Sequence, residues 1–221
     1  MAAGSGTRMG GQMPKQFLEI DGKAILQKTI EVFLESCPGI RVITVLPETF
    51  MDYWKEYCYK NNFICPQTLV KGGITRFHSV RNALEKVPEG AVVAVHDGVR
   101  PLVSGELVSE MFGRMDQEQA LVPVVPCVDT MKVLDEKLKP VPGAVADRSR
   151  LFGVQTPQIF HSELLKQAYR QPYDTSFTDD ASVVERYGKS PSYVYGERLN
   201  IKITTQEDLI LARAVVNILR D

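Results

Sequence analysis

The chain opens with two short blocks of unusual composition, Ala2-Ala3-Gly4-Ser5-Gly6-Thr7-Arg8-Met9-Gly10 and, after a short gap, Pro14-Lys15-Gln16-Phe17. Glycines, alanines and small hydroxyl residues leave the backbone of the first block open, so that its N–H groups can converge on an anion. Arg8 and Lys15 add two permanent cations, and an arginine can hold two phosphate oxygens at once. The blocks predict a polyphosphate-binding loop. The alternative is a plain surface turn with basic neighbours.

Two better-known phosphate loops do not fit the opening stretch. A P-loop has Lys and then Ser or Thr directly after its last glycine, whereas Gly10 is followed by Gly11 and Gln12. The dinucleotide-binding fingerprint would place its third glycine at Met9 and begin a helix at once. Here the helical spacing of apolar residues begins only near Ala24.

Composition excludes several classes of partner. The 221 residues carry 26 basic and 27 acidic side chains, a formal net charge of −1. This balance provides no global attraction to nucleic acid or to an anionic membrane, so neither is an expected partner. No apolar run approaches the roughly 20 residues of a membrane helix, and no signal peptide is recognisable, so we expect a cytoplasmic protein. The four cysteines lack C-x-x-C spacing, which argues against zinc.

The apolar pattern alternates between helical and strand spacing. It predicts helices over residues 25–34, 50–61, 75–87 and 106–115, and strands over 42–46, 91–95 and 120–125. Further helices are predicted from residues 162 and 178, a strand at 193–195, and a last helix capped by Thr204 with Glu207. Such alternation is typical of a mostly parallel sheet covered on both faces, which binds ligands at the carboxyl ends of its strands. The turn at residues 96–101 lies at such an end.

Residues 129–152 interrupt the alternation. Residues 130–134 have the composition of a strand, a charged and proline-bearing turn follows, and residues 144–152 return. We interpret this segment as a β-hairpin arm projecting from a single domain that spans residues 1–221. Because an isolated two-stranded ribbon is marginal in water, the arm needs a partner surface.

The opening blocks resemble the signature of nucleotidyltransferases, and most closely the 2-C-methyl-D-erythritol 4-phosphate cytidylyltransferase family. The resemblance continues in order along nearly the whole chain, through Gly72-Gly73 with Thr75-Arg76 and Ser79-Val80, His96-Asp97-Gly98-Val99-Arg100-Pro101, Asp129-Thr130-Met131-Lys132, Asp147-Arg148-Ser149, Gln155-Thr156-Pro157-Gln158, Thr178-Asp179-Asp180-Ala181-Ser182 and Asn200-Ile201-Lys202-Ile203-Thr204. It implies an α/β, Rossmann-like three-layer fold with a mostly parallel sheet and a protruding β-hairpin arm.

The resemblance also implies the chemistry, the transfer of the cytidylyl group of CTP to 2-C-methyl-D-erythritol 4-phosphate. The expected products are 4-diphosphocytidyl-2-C-methyl-D-erythritol and pyrophosphate, in the non-mevalonate isoprenoid pathway. Its implied catalytic residues are Arg8 and Lys15 on the triphosphate, and Arg148 and Lys202 on the incoming phosphate. Its implied nucleotide-binding residues are Ala2, Ala3, Gly4, Ser5, Gly6, Thr7, Gly72, Gly73, Ser79, Asp97 and Gly98. Its implied substrate-binding residues are Asp97, Arg100, Thr130, Thr156 and Thr178.

Several of these residues have simpler structural roles open to them. Asp97 would hold Mg²⁺ beside the triphosphate, or it caps the turn after the strand. Thr130, Thr156 and Thr178 suit turns, hairpins or helix caps as well as ligands. Ser79 would reach the cytosine or its ribose, or it is an exposed helix position. Asp179 and Asp180 most simply stabilise a helix N-terminus. His96 is expected to be a packed residue at a strand end.

Departures from the family pattern leave three different functions open. Val99 resembles the related ribitol-5-phosphate cytidylyltransferases, whereas residues 177–182 resemble the methylerythritol branch. A nicotinamide-dependent reductase is the candidate from another class. The third candidate, an inactive nucleotide-binding protein, arises because the family's loop follows an apolar first strand, and here Met1 directly precedes Ala2.

The resemblance further implies a homodimer. In this family the arm embraces the second subunit and delivers the residues matching Thr130 and Arg148 to its partner's substrate. Twofold symmetry would make this exchange reciprocal and create two composite sites.

Overall fold

The structure, a computed structural model, describes residues 1–4 and 13–218. Its helices are α1 (Ile25–Ser36), α2 (Met51–Lys60), α3 (Arg76–Leu84), α4 (Gly105–Gly113), α5 (Ser162–Ala168), α6 (Asp180–Arg186) and α7 (Gln206–Ile218). Its strands are β1 (Glu19–Ile20), β2 (Lys23–Ala24), β3 (Val42–Leu46), β4 (Gln67–Lys71), β5 (Val92–Val95), β6 (Ala120–Pro126), β7 (Phe152–Val154), β8 (Gln158–His161) and β9 (Ser192–Tyr195).

The sheet is mixed. β3 pairs in parallel with β4 in a sheet of two strands, and in the five-stranded sheet β6 pairs in parallel with β9. Between β5 and β6 lies β8, which is antiparallel to both, so that β5 and β6 run in the same direction. The predicted α/β class is confirmed, but the sheet is less parallel than expected. The reason is that the chain returns from the arm as a direct neighbour of β6, and antiparallel neighbours need no helical crossover.

Helices cover both faces of the sheet, as a three-layer fold requires. On one face, Ile159 of β8 and Leu121 of β6 pack with Phe33 of α1 and Met111 of α4. On the other face, Phe160 of β8 packs with apolar side chains of α3, α5 and α6. Since Ile159 and Phe160 are adjacent in a strand, they point to opposite faces, and each is fully buried.

The block of residues 14–17 holds the start of the opening loop, Ala2 to Gly4, against the rest of the domain. Phe17 packs against the rings of Phe50, Tyr53 and Trp54, with centroid distances of 5.0–5.9 Å. The buried amide of Gln16 donates from Nε2 to the carbonyl oxygens of Ala2 at 2.8 Å and Gly4 at 3.3 Å. Packing on one side and hydrogen bonds on the other therefore hold Lys15 beside the loop.

The arm differs from its prediction. Most residues between 128 and 151 are exposed, and the segment contains one isolated bridge, Leu134 to Pro140, where a strand at residues 130–134 was expected. The arm's base is regular, because β6 pairs with β7 and the N–H of Cys127 donates to the carbonyl oxygen of Leu151 at 3.0 Å. β-branched composition alone does not form a ladder where nothing is packed behind it.

The N-terminal cap of α7 lies one residue later in the chain than predicted. The N–H of Thr205 donates to the Asp208 carboxylate at 2.8 Å, and the N–H of Asp208 donates to the Thr205 hydroxyl at 3.3 Å. This reciprocal pair makes Thr205 with Asp208 the capping box. Thr204 contributes its own N–H and hydroxyl to the same carboxylate, each at 2.7 Å.

His96 lies at the end of β5 and is a core residue, as predicted. It is 7% exposed and packs on Phe33, with ring centroids 4.9 Å apart. Its Nδ1 lies 3.0 Å from the Thr156 hydroxyl and its Nε2 lies 3.2 Å from the carbonyl oxygen of Arg100. Desolvation lowers the pKa of His96 to about 3, so the imidazole is neutral near neutral pH.

Gly72 allows a close approach of two backbones, and replacing it tests that approach. A Cβ at Gly72 would lie 2.5 Å from the Cβ of Ala3, whereas a Cβ at Gly113 would meet nothing within 4 Å. We expect Gly72→Ala to lower the free energy of unfolding by about 1–3 kcal/mol through overpacking. Gly113→Ala, the matched control, should be as stable as the parent or slightly more stable. Urea denaturation measures both. Equal stability of the two variants would contradict this close approach.

Burial of neutral His96 predicts a pH dependence of stability. Below its ordinary pKa of 6.5, His96 binds a proton in the unfolded chain but not in the folded one. The contribution of neutral His96 to the free energy of unfolding is therefore complete above about pH 6.5. It is lost as the pH falls below that value, at about 1.4 kcal/mol per pH unit. Denaturation between about pH 7.5 and 5 should show a shallower slope for His96→Asn than for the parent. His161→Asn, which retains His96, should keep the parent slope. An unchanged slope in His96→Asn would contradict the assignment.

Candidate functional site

The first three residues lie between two strand ends. The amino group of Met1 donates to the carbonyl oxygen of His96 at 2.6 Å, and the N–H of Gly98 donates to the carbonyl oxygen of Met1 at 2.8 Å. On the other side, the N–H of Ala2 donates to the carbonyl oxygen of Val45 at 2.9 Å. These bonds place Met1 and Ala2, where the opening loop begins, at the carboxyl ends of β3 and β5, where a ligand of an α/β sheet is expected.

Glycines line the approach to this point. A Cβ at Gly98 would lie 3.0 Å from the Cβ of Ala2, just as a Cβ at Gly72 would meet Ala3. The N–H of Gly73 donates to the Ser79 hydroxyl at 2.9 Å, and that hydroxyl donates to the carbonyl oxygen of Thr75 at 2.9 Å. The structure thus brings together seven of the predicted nucleotide-binding residues: Ala2, Ala3, Gly4, Gly72, Gly73, Ser79 and Gly98.

Ser79 is buried, so its interpretation as an exposed helix position is wrong. Its hydroxyl shapes the loop of residues 72–75 from within, and Thr75 caps the N-terminus of α3 through a bond from the N–H of His78. The remaining predicted loop residues Ser5, Gly6, Thr7 and Arg8 lie outside the described residues, as do Met9 and Gly10.

A pocket of about 250 Å³ lies beside these strand ends. It brings together side chains from α3, the turn after β5, the segment before β8, the start of α6 and the segment before α7. Its lining consists of Arg76, Asp97, Arg100, Val154, Gln155, Thr156, Gln158, Thr178, Asp179 and Lys202. Five predicted site residues, Asp97, Arg100, Thr156, Thr178 and Lys202, therefore meet in one cavity.

Asp97 is the electrostatic centre of the pocket. Its Oδ2 lies 3.0 Å from Lys202 Nζ and 3.3 Å from Arg100 Nε. Its N–H donates to the Thr156 hydroxyl at 3.1 Å. Desolvation acts to raise the pKa of Asp97, but the charges of Lys202, Arg76 and Arg100 outweigh it and hold the pKa well below its usual range. Asp97 is therefore a permanent anion that orders two cations.

Arg76 is the pocket cation that the sequence prediction missed. Its Nη1 and Nη2 donate to the two carboxylate oxygens of Asp180 at 3.0 and 2.5 Å, and the Tyr169 hydroxyl donates to the same carboxylate at 2.5 Å. Asp180 is fully buried, whereas the Arg76 side chain keeps 30% of its surface exposed toward the pocket. The signal available in the sequence was the position of Arg76 directly after Thr75, in a block that carries the family resemblance.

Asp179 and Asp180, predicted to be simple helix-end residues, have different roles. Asp179 caps α6 in a reciprocal capping box with Ser182, as expected. Asp180 instead neutralises Arg76 across the molecule. Breaking a buried pair of this kind by removing one partner is costly, so Asp180 joins α6 to α3 and thereby holds Thr178 opposite Arg76.

Two buried amides fasten the segment that carries Lys202. Gln155 Nε2 donates to the carbonyl oxygen of Glu197 at 2.7 Å, and Asn200 Nδ2 donates to the carbonyl oxygen of Thr156 at 2.9 Å. Arg100 Nη1 donates to the carbonyl oxygen of Asn200 at 2.6 Å. Backbone contacts thus tie the Lys202 segment to the same turn that carries Asp97.

Thr130 and Arg148 lie outside this pocket. Both are exposed on the arm, where Arg148 Nη1 donates to the carbonyl oxygen of Val128 at 3.0 Å. Two of the residues that the resemblance assigns to the substrate, Thr130 and Arg148, are therefore not part of the pocket of their own chain.

Asp97 is also the candidate magnesium ligand. Among residues 1–4 and 13–218, no group of three or more His, Cys, Asp or Glu side chains could hold a metal ion. Mg²⁺ is commonly held by one or two carboxylates, with substrate phosphates and water supplying the other ligands. A single carboxylate beside Lys202 and Arg100 at the end of β5 fits that pattern and does not fit a cage built by the protein alone.

The site as a whole is suited to anionic ligands. Arg76, Arg100 and Lys202 are three cations around Asp97, and Arg76 is also paired with Asp180. Charge-assisted bonds from arginine and lysine are among the strongest that a phosphate can form. No helix in the described part of the chain is long and apolar enough to cross a membrane.

Comparisons with known proteins identify the family. The family model described as IspD, 2-C-methyl-D-erythritol 4-phosphate cytidylyltransferase, matches residues 1–218. A relative of that description from Phocaeicola vulgatus is 43% identical over 217 residues, covering 98% of this chain and 97% of the relative. One from Porphyromonas gingivalis is 44% identical over 217 residues, covering 98% and 95%.

Solved structures agree. A 4-diphosphocytidyl-2C-methyl-D-erythritol synthase from Anaerococcus prevotii superposes with a TM-score of 0.80 at 28% identity, covering 98% of this chain and 95% of that one. A 2-C-methyl-D-erythritol 4-phosphate cytidylyltransferase from Thermus thermophilus gives a TM-score of 0.76 at 31% identity, covering 98% and 96%. With the family model spanning both the glycine-lined strand ends and the cationic pocket, this chain belongs to the IspD family of 2-C-methyl-D-erythritol 4-phosphate cytidylyltransferases.

Proposed function

We propose that the chain transfers the cytidylyl group of CTP to 2-C-methyl-D-erythritol 4-phosphate, giving 4-diphosphocytidyl-2-C-methyl-D-erythritol and pyrophosphate in the non-mevalonate isoprenoid pathway. The observation that carries this proposal is the pocket in which Arg76, Arg100 and Lys202 surround Asp97 next to the opening loop. The family membership names the reaction, and the pocket supplies the charges that the reaction needs.

The reaction needs positioning more than proton transfer. A phosphate monoester is already an anion near neutral pH, since its second pKa is about 6. One of its oxygens attacks the α-phosphorus of CTP, and the bond from that phosphorus to the bridging oxygen of the β-phosphate breaks. Pyrophosphate leaves with the electron pair. What the protein contributes is in-line placement and cations for the charge that grows on the α-phosphate.

The residues divide between the two substrates. The absence of bulky side chains at Ala2, Ala3, Gly4, Gly72, Gly73 and Gly98 leaves room for the nucleotide, with Lys15 on its phosphates. Lys202 and Arg100 suit the phosphate of the sugar alcohol, and the hydroxyls of Thr156 and Thr178 suit its polar groups. Arg76 also lines the pocket, where 30% of its side-chain surface stays exposed although Asp180 is its ion-pair partner.

Asp97 would hold Mg²⁺ together with the phosphates of CTP. When bound there, the ion would neutralise and orient the triphosphate. Lys202 and Arg100 keep the Asp97 carboxylate ionised, so it remains a ligand for a cation over the whole working pH range.

A homodimer through the arm completes the proposal. The arm exposes the apolar side chains of Val128, Met131, Val133, Leu134, Leu138 and Val145. Several exposed apolar side chains on one segment are typical of interaction sites. A second copy that accepts the arm would receive Thr130 and Arg148 near its pocket.

All four cysteines are free, which is usual for proteins of the reducing cytoplasm.

A pyrophosphate-release assay tests the reaction. With CTP and Mg²⁺, 2-C-methyl-D-erythritol 4-phosphate should give a higher kcat/KM than ribitol 5-phosphate, because the family of this chain is that of the methylerythritol enzymes. ATP in place of CTP controls for the choice of nucleotide, and NADPH oxidation with a carbonyl substrate controls for reductase activity. Preference for ribitol 5-phosphate would assign the chain to that substrate, and absence of turnover would favour an inactive nucleotide-binding protein.

Mixing two inactive variants tests the shared site. Arg148→Ala removes a residue of the arm, and Lys15→Ala removes one of the body. About half of randomly formed dimers would be mixed, each with one intact site, so activity should return to about a quarter of the parent value. Native mass spectrometry measures subunit exchange in the same samples.

The matched control mixes Lys15→Ala with Lys202→Ala chains. Both changes lie in the body, so every site of a mixed dimer keeps one defect and no activity should return. If exchange is complete and the Arg148→Ala with Lys15→Ala mixture stays inactive, Arg148 acts within its own chain.

A further inference from the structure

The hydroxyl of Thr156 lies between two groups of the turn that follows β5. His96 Nδ1 is 3.0 Å from Thr156 Oγ1, and the N–H of Asp97 donates to the same oxygen at 3.1 Å. Thr156 is 5% exposed and belongs to the lining of the pocket. The group to which this hydroxyl donates its one proton therefore decides what Thr156 can offer to a ligand.

The second ring nitrogen of His96 fixes the direction of that bond. Nε2 lies 3.2 Å from the carbonyl oxygen of Arg100, and a carbonyl oxygen can only accept, so Nε2 carries the N–H. Because burial lowers the pKa of His96 to about 3, the ring is neutral and has only this one N–H. Nδ1 is therefore an acceptor, and the Thr156 hydroxyl donates its proton to Nδ1.

With its proton bound by His96, Thr156 can only accept a further hydrogen bond. A hydroxyl has one proton and two lone pairs, and one of these lone pairs receives the N–H of Asp97. The second lone pair can receive a donor from a ligand. The hydroxyl could donate to a phosphate oxygen only by giving up its bond to His96 Nδ1, and a buried acceptor left without a donor costs free energy.

The neighbouring groups divide the pocket into donors and acceptors. The ionised carboxylate of Asp97 only accepts, as Thr156 does, whereas the side chains of Lys202 and Arg100 beside it only donate. The donors suit a phosphate, and the acceptors suit hydroxyl groups. A sugar-alcohol phosphate carries both kinds of group, and near neutral pH its hydroxyls are the groups that can donate to Thr156.

We propose that Thr156 recognises a hydroxyl group of the sugar alcohol by accepting its hydrogen bond, and that His96 is the positioning residue that holds the Thr156 hydroxyl in the orientation required. This assignment rests on the proposed function, since it places one group of the sugar-alcohol phosphate in the pocket. His96 acts through Thr156 as a neutral acceptor and exchanges no proton with the substrate.

Nitrogen-15 NMR of the imidazole rings at pH 8 tests the orientation without any substrate. The chain has three histidines, and His96→Asn identifies the signals of His96 by their loss. Nε2 should carry the proton, and Nδ1 should be unprotonated. In Thr156→Val the Nδ1 signal should move toward that of an imidazole nitrogen without a donor, whereas Thr156→Ser, which keeps the hydroxyl, should leave it in place. A proton on Nδ1 in the parent chain, or an unchanged Nδ1 signal in Thr156→Val, would overturn the proposal.

Analogues of 2-C-methyl-D-erythritol 4-phosphate with fluorine in place of one hydroxyl at a time test the ligand group, because fluorine cannot donate a hydrogen bond. Pyrophosphate release is measured with CTP and Mg²⁺. One analogue should lower kcat/KM of the parent chain by about tenfold, as expected for one lost hydrogen bond. Thr156→Val should cost about tenfold less with that analogue than with the natural substrate, since the bond is already absent. Thr156→Ser, the matched control, should keep the parent pattern.

An equal loss from Thr156→Val with the natural substrate and with every analogue would also overturn the proposal, because Thr156 would then serve only the Asp97 turn or the phosphate. Turnover of the natural substrate by the parent chain tests the proposed function separately. An active parent chain with equal losses refutes this inference alone. An inactive parent chain refutes the proposed function and the hydroxyl assignment together, and the NMR measurement still decides which way the Thr156 hydroxyl donates.

Discussion

The organisation of the pocket depends on one carboxylate that is kept ionised although it is almost buried. Asp97 is 8% exposed, and its Oδ2 lies within 3.3 Å of both Lys202 Nζ and Arg100 Nε. A charge in such surroundings is tolerated only when cations and hydrogen bonds compensate its lost hydration. Lys202 and Arg100 come from segments separated by about a hundred residues of sequence. The carboxylate therefore draws together the turn after β5 and the segment before α7, and it also leaves those cations aimed at the cavity where an anionic substrate would lie.

A second pair, Arg76 with Asp180, extends this constraint to the opposite wall. Asp180 is fully buried and receives three hydrogen bonds, two from Arg76 and one from Tyr169. Because α6 begins at Asp180, the pair sets the position of Thr178 relative to the cations. His96, by contrast, is buried as a neutral ring whose two nitrogens face a hydroxyl and a carbonyl oxygen. It supports the Asp97 turn through packing and takes no charged part in the site.

Much of the fold followed from the sequence because local pattern and burial agreed. The helical spacing at residues 25–34 became α1, and the continuous apolar runs became β3, β5 and β6. The prediction was wrong where tertiary context supplies what the pattern lacks. Residues 130–134 have the composition of a strand, but all five are exposed, and no regular strand forms. β4 and β8 were missed, since three of the five residues of β4 are polar and β8 is four residues long and follows the loop that leaves the arm.

By itself, the sequence determined which residue types are available at the site and in what order, and hence the family and the chemistry of the reaction. Small residues and glycines that permit close backbone approach, and cations that suit phosphates, are properties of the residues themselves. Only the tertiary structure decided that Arg76 faces the pocket while Thr130 and Arg148 do not, and that the ring of His96 meets the Thr156 hydroxyl. The physical reason is that these facts depend on distances between segments far apart in the chain, and such distances are set by the packing of helices on both faces of the sheet and by buried ion pairs that no local pattern encodes.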